Sequence, residues 1–145
     1  MYPARLDEKG RIKLPVDFQN FFAAFPEKRV YVTSLDGRIG QIYPISVWRA
    51  NLEFLSGLKD NSKVVKKVLF NANDFGAEAE VDSSGRVTVN SQMREDLNLM
   101  GQELRLTAVR GRVEILNEEL YRQMRREAQE DAEANVSTLE DLGML

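Results

Sequence analysis

The chain has 145 residues, of which 43% are apolar and 30% charged, and a formal net charge of −3. It contains no cysteine and no histidine, which excludes disulfides, thiolate nucleophiles, cysteine zinc sites and imidazole acid–base chemistry. No run approaches the ~18 apolar residues a bilayer crossing needs and no basic-then-apolar leader is present, so the reading is a cytoplasmic protein of one ordinary domain or two very small ones.

From the amino terminus, Ala4 to Leu14 reads as two extended segments around a turn at Glu8, Lys9 and Gly10. Glycine there takes a backbone conformation that a side chain resists. Leu6, Ile12 and Leu14 then share one face, with Arg11 and Lys13 on the other. Pro15 suits the first turn of a helix, and Val16 to Phe25 follows as a short apolar helix that Pro26 ends. Arg29 to Thr33 and Arg38 to Tyr43 flank Asp36-Gly37, a hairpin signal. Ser46 to Leu58 reads as a helix whose buried stripe is Trp48, Leu52 and Leu55. Asp60, Asn61 and Ser62 break it, with Ser62 as the cap of a further helix carrying Lys63, Lys66 and Lys67 on one edge. Then come a helix from Ser91 to about Leu97, strands at Leu104 to Val109 and Arg112 to Leu116 around Arg110-Gly111, and a helical segment from Glu118 to Ala134. That last segment is poor in large apolar groups, so it is expected to lie exposed or against another protomer, and the remaining tail to be loose.

The order repeats because the sequence repeats. DEKGRIKLP, Asp7 to Pro15, returns 75 positions on as DSSGRVTVN, Asp82 to Asn90, with Asp, Gly and Arg in place. Ala4 and Leu6 match Ala79 and Val81, and LDGRI (Leu35 to Ile39) is answered by VRGRV (Val109 to Val113). Such self-similarity marks two copies of one small folding unit, strand, short helix and hairpin, which makes the fold α+β. A unit of that size buries little core alone, so the halves are expected to share a core or assemble.

Charge is unevenly spread. Residues 1 to 75 carry 12 Lys/Arg against 8 Asp/Glu, whereas residues 76 to 145 carry 8 against 15. The tail from residue 127 has Glu127, Glu130, Asp131, Glu133, Glu140 and Asp141 and no base. Local potential at a face, not the net charge, decides whether an anionic polymer is bound. Arg11, with Lys9 and Lys13 beside it, suits phosphate contact or a bidentate bond to guanine; the plainer alternative is an arginine paired locally with Asp7. Arg86 is preceded by Glu78, Glu80 and Asp82, so a local salt bridge competes with contact there. Asp7 and Asp82 are assigned to orienting the turns, and Gly10 and Gly85 to shaping them. Lys63, Lys66 and Lys67 read first as a solvated face; Arg5, Arg38, Arg110 and Arg112 are further candidates for a basic patch. Trp48, Phe21, Phe22 and Phe25 read as core or protomer contact.

Two Asp-x-x-Gly-Arg turns, each followed by a short helix and a hairpin, resemble the MraZ family. The likeness spans roughly Arg5 to Tyr121, and DEKGRIKLP, QIYPISVW (Gln41 to Trp48) and GAEAEVDSSGR (Gly76 to Arg86) carry it. It implies tandem AbrB-like repeats, a swapped-hairpin, double-psi-like β-barrel fold with peripheral helices, in a ring-forming homo-oligomer. The divisions expected are residues 1–60 for the first repeat, 61–75 for a linking helix, 76–126 for the second repeat with its C-terminal helix, and 127–145 for the acidic tail. Also implied is a nucleoid-associated transcriptional regulator that binds tandem boxes in double-stranded DNA upstream of the division and cell-wall genes, with Arg11 and, by the same motif, Arg86 on the DNA. The second motif ends in Asn90 instead of proline and lacks a lysine like Lys9, so the two turns are not expected to bind equally.

No catalytic step, metal, cofactor, small-molecule substrate or membrane partner is expected. Two rivals remain. One is an antitoxin-like interaction scaffold whose hairpins serve assembly and whose acidic tail docks a protein. The other is a carboxylate-dependent enzyme using Asp7 or Asp82, which lacks a third member for such chemistry.

Overall fold

The computed structural model describes residues 1–145 as eight strands and six helices. In chain order these are β1 (Tyr2–Ala4), β2 (Arg11–Lys13), α1 (Val16–Ala23), β3 (Arg29–Thr33), β4 (Gly40–Pro44), α2 (Ile45–Ser56), α3 (Ser62–Phe75), β5 (Ala77–Glu80), β6 (Arg86–Thr88), α4 (Ser91–Asp96), β7 (Leu104–Val109), β8 (Arg112–Leu116), α5 (Glu118–Gln129) and α6 (Ala132–Asp141). The fold is α+β. Its strands form a six-stranded sheet of order β1-β7-β8-β4-β3-β5 and a two-stranded ribbon, β2-β6, with every pairing antiparallel and no closed barrel.

The pairing interleaves the two halves of the chain. β1 adds to β7 (Tyr2 opposite Leu106), while β5 adds to β3 (Ala77 opposite Val32). The hairpins β3-β4 and β7-β8 join through Gln41 opposite Glu114. The expected extended pair from Ala4 to Leu14 shrinks to a single bridge, Leu6 with Ile12. β2 turns instead to β6, setting Ile12 opposite Val87. Both side chains are fully buried; burying each is worth about 1.5–3 kcal/mol, which this cross-half ribbon secures at once for two short strands. One core cluster draws on both halves, from Ile12, Leu14, Phe22, Val30 and Ile42 to Val87, Met93, Leu104 and Ile115. Gly40 permits the close pairing at the centre of the sheet, since a Cβ there would meet the Ile115 side chain at 3.2 Å.

Several local expectations shift. α1 stops at Ala23 and follows Pro15, whose carbonyl accepts from Phe18 and Gln19 (both 3.0 Å). Ser62 is the first residue of α3; the cap position falls to Asn61, and no side chain bonds there. On α2, Trp48 is buried against Tyr31 (stacked, centroids 4.9 Å apart) and Tyr43, but Leu55 is only half-buried and Leu52 is exposed. This helix reaches the core through Ile45 and Trp48 near its start, so the stripe is not buried along its length. The tail beyond residue 127 is helical rather than loose: α6 starts afresh after Asp131, a non-glycine residue at φ 53°. Ala, Glu and Leu sustain it, although it has no buried residue.

Candidate nucleic-acid interface

Each arginine turn is organised by its aspartate. Asp7 Oδ1 accepts from the backbone N–H groups of Lys9 (3.0 Å) and Arg11 (2.9 Å), and the Gly10 N–H closes onto the Asp7 carbonyl (3.0 Å). Asp82 Oδ1 accepts in the same way from Ser84 and Arg86 (both 2.9 Å), and Gly85 closes onto the Asp82 carbonyl (2.9 Å). Gly10 and Gly85 sit at φ 76° and 78°, the left-handed region in which a side chain is strained. Both carboxyls are held below the usual aspartate pKa, first by the backbone N–H of Arg11 or of Arg86, because hydrogen bonds to the charged form favour it. The second bond Asp82 receives from the backbone, from Ser84, lowers it further, and so do the Arg86 and Arg11 charges.

The antiparallel ribbon sets the two turns at its opposite ends. Arg11 lies opposite Thr88 and Lys13 opposite Arg86, flanked by bonds from Leu14 N–H to the Gly85 carbonyl (2.8 Å) and from Val89 N–H to the Gly10 carbonyl (2.9 Å). Displacing one half by 75 residues turns each of these bonds into the other. The Lys13 ammonium donates to the Ser84 carbonyl, tying the first ribbon strand to the second turn.

The two arginines differ. Arg11 Nε donates to Asp7 Oδ2 at 2.8 Å and its Nη1 lies 3.9 Å from Asp82 Oδ2, so its guanidinium is held between the two aspartates with 26% of the side chain exposed. Arg86, also half-buried, has no side-chain hydrogen bond or ion pair. Two of the acids before it are engaged elsewhere: Glu78 reaches Arg29 across β3 and β5 at 2.7 Å, and Asp82 serves its own turn. Lys9 and Lys13 are exposed.

Curated relatives are similar over most of the chain. A protein from Acidobacterium capsulatum named transcriptional regulator MraZ is 31% identical over 97% of this chain and 90% of its own length. The chain belongs to the MraZ family. Further MraZ transcriptional regulators match from Koribacter versatilis (33% identical, 70% of this chain and 69% of that protein) and Pediococcus pentosaceus (29%, 96% and 94%). No family model matches the chain.

In this MraZ-family chain the other sequence candidates scatter. Lys63, Lys66 and Lys67 are exposed on α3 next to exposed Val64 and Phe70. Arg112 is engaged by Glu114 (3.0 Å) and lies over the Tyr43 ring (5.6 Å), while Arg38 leans on Gln123 (3.4 Å). Arg5 and Arg110 are exposed. Asp7 and Asp82 direct their oxygens at backbone N–H groups and at Arg11, and no group of three or more metal-ligating side chains occurs. No helix is long and apolar enough to cross a membrane.

Two residues that the sequence reading passed over also belong here. Arg94 of α4 covers Gly10, and Gln19 of α1 covers Gly85. They stand 75 positions apart, so extending the repeat comparison into the helices singles them out.

Proposed function

We propose that this chain is a non-enzymatic, sequence-specific DNA-binding transcriptional regulator that presents its two arginine turns together to tandem promoter boxes. The observation that carries this reading is the β2-β6 ribbon, which sets Arg11 and Arg86 on one two-stranded platform with Lys9 and Lys13 exposed beside them. Asp7 fixes Arg11 through Nε. A guanidinium held at that nitrogen keeps Nη donors for a phosphate or for a guanine edge, with its orientation already settled. The MraZ relatives carry the name transcriptional regulator, and the resemblance extends the proposal to boxes upstream of the division and cell-wall gene cluster.

In this reading residues 1–60 and 76–126 are AbrB-like repeats joined by the helix 61–75, residues 127–145 are an acidic appendage, and chains assemble into a ring at the nucleoid. A ring offers many copies of a weak grip to repeated boxes, which makes later contacts intramolecular and multiplies avidity. Affinity then falls steeply with salt as counterions are released from the duplex.

The test is fluorescence anisotropy of a labelled duplex taken from upstream of the chain's own coding region, titrated at two salt concentrations against a scrambled duplex of equal length. Salt-sensitive binding that prefers the native duplex is expected. A second reading, an oligomeric interaction scaffold, draws on α6, where Val136, Leu139 and Leu142 are exposed among Glu133, Glu140 and Asp141. Absence of binding to either duplex at micromolar protein would favour it.

A further inference from the structure

The Arg94 side chain makes no hydrogen bond and no ion pair, and its Nε is the one buried side-chain nitrogen or oxygen in the protein left without a partner. A sealed, unpaired N–H on a charged group is unfavourable and calls for an explanation. Its place supplies one. A Cβ built on Gly10 would lie 2.3 Å from Arg94 Nη1, 2.6 Å from Cζ and 2.9 Å from Nε. The guanidinium of the second half is therefore held against the backbone of the first turn, beside Lys9 and Arg11.

The other half does the same covering without a charge. Gln19 lies over Gly85, with its amide nitrogen 2.2 Å from where a Cβ would stand, and that nitrogen donates to the Leu14 carbonyl at 2.7 Å. Closing over a turn glycine thus needs only a neutral amide, which satisfies its own donor. A guanidinium in the equivalent place leaves a donor unsatisfied, so packing alone does not account for arginine there. Nη1 and Nη2 of Arg94 are also without a partner, and the residue as a whole is half-buried, not sealed. The neighbouring cations are partly committed: Arg11 Nε to Asp7, and the Lys13 ammonium to the Ser84 carbonyl.

We propose that Arg94 is a phosphate-binding residue of the first turn, supplied from the second half of the chain, and that the second turn has no equivalent because Gln19 stands in its place. The inference rests on the DNA-binding reading above. It makes the first turn the stronger anchor on the duplex backbone, since each phosphate neutralised by an arginine adds to both affinity and salt dependence.

The protein supplies its own control substitution. Arg94→Gln reproduces the side chain that already covers Gly85, so the turn stays covered while the charge is removed. With the same labelled upstream duplex, affinity is expected to fall roughly ten-fold and the slope of log K against log salt to become shallower by about one. Gln19→Arg, the reciprocal change, should tighten binding and steepen the slope by a similar amount. Arg11→Ala is measured alongside. If the parent binds neither duplex, the DNA reading itself fails; if the parent binds and Arg11→Ala is crippled but Arg94→Gln keeps parental affinity and slope, only the present inference is overturned. Should Arg94→Gln lose parental oligomer mass or circular dichroism, Gln19→Arg decides: tighter binding with a steeper slope upholds the role of charge at this position, and unchanged binding defeats it.

Discussion

The first turn, Asp7 to Arg11, and the second, Asp82 to Arg86, share a backbone and differ in what lies on it. Both are closed by an aspartate that accepts two backbone N–H bonds and by a glycine at positive φ. The first then holds its arginine to its own aspartate, carries Lys9, and is covered by Arg94; the second leaves Arg86 unpaired, carries Ser83 and Ser84, and is covered by Gln19. One scaffold therefore supports two electrostatic surfaces, because the groups that shape the turn and those that charge it are separate.

The largest expected effect separates the two arginines. Arg11→Ala should weaken duplex binding by on the order of 100-fold or more, because the loss is repeated in every protomer of the proposed ring, with the mass read by light scattering unchanged. Arg86→Ala should cost less, about ten-fold. Equal losses would make the turns equivalent in use despite their different surroundings, and an Arg11→Ala protein that falls apart would make that arginine structural.

Next come the glycines, where the turns should behave alike. Gly10→Ala and Gly85→Ala each force a side chain into the left-handed region and displace the group that covers it, which should cost about 1–3 kcal/mol, read as a lower urea midpoint. Only Gly10→Ala moves a cation, so it alone should also change the salt dependence of duplex binding. A midpoint unmoved in either variant would mean the backbone relaxes without cost.

Acid titration probes the shared aspartates. Their lowered pKa values mean that the stability they contribute is fully present above the ordinary aspartate value of about 4 and is lost as pH falls through the lowered one. The urea midpoint should not change on account of these groups between about pH 7 and pH 5 and should drop below about pH 4. Asn in place of both Asp7 and Asp82 keeps an oxygen for the backbone N–H groups but removes the charge, and should flatten that drop. Undiminished acid sensitivity in this double variant would assign the drop to other carboxylates.

The smallest effect is expected from the tail. Removing residues 127–145 takes away Glu127, Glu130, Asp131, Glu133, Glu140 and Asp141 and no base. Because α6 buries nothing, thermal stability should hold and duplex affinity should stay level or rise slightly. A marked loss of affinity would give the tail a part in forming the binding state.

Much of the local structure was legible because it is written in nearby residues. Asp36-Gly37 and Gly111 at the hairpins, Pro15 ahead of α1 and the two Asp-x-x-Gly-Arg phrases each fix a few torsions on their own, and all stand near where they were read. What escaped depends on residues far apart in the chain. Nothing near Tyr2 or Ala77 says that β1 will join the hairpin of the second half and β5 that of the first. The acids before Arg86 looked like its partners because they adjoin it in sequence, yet strand β5 carries Glu78 to Arg29. The covering of Gly10 by Arg94 arises only once the halves interlock. α6 was missed for the opposite reason: a helix with no buried face leaves no apolar period to detect.

The ribbon between β2 and β6 lies within one polypeptide. In a platform built from two identical chains, any substitution appears at both positions, and the pair remains a palindrome. Here a single codon change alters one turn and leaves its counterpart untouched. Selection can thus set Lys9 against Ser84, and Arg94 against Gln19, without compromise between them. Whatever lies across the two turns meets different chemistry at either end, so the platform has a heading, fixed by the order in which the chain is synthesised.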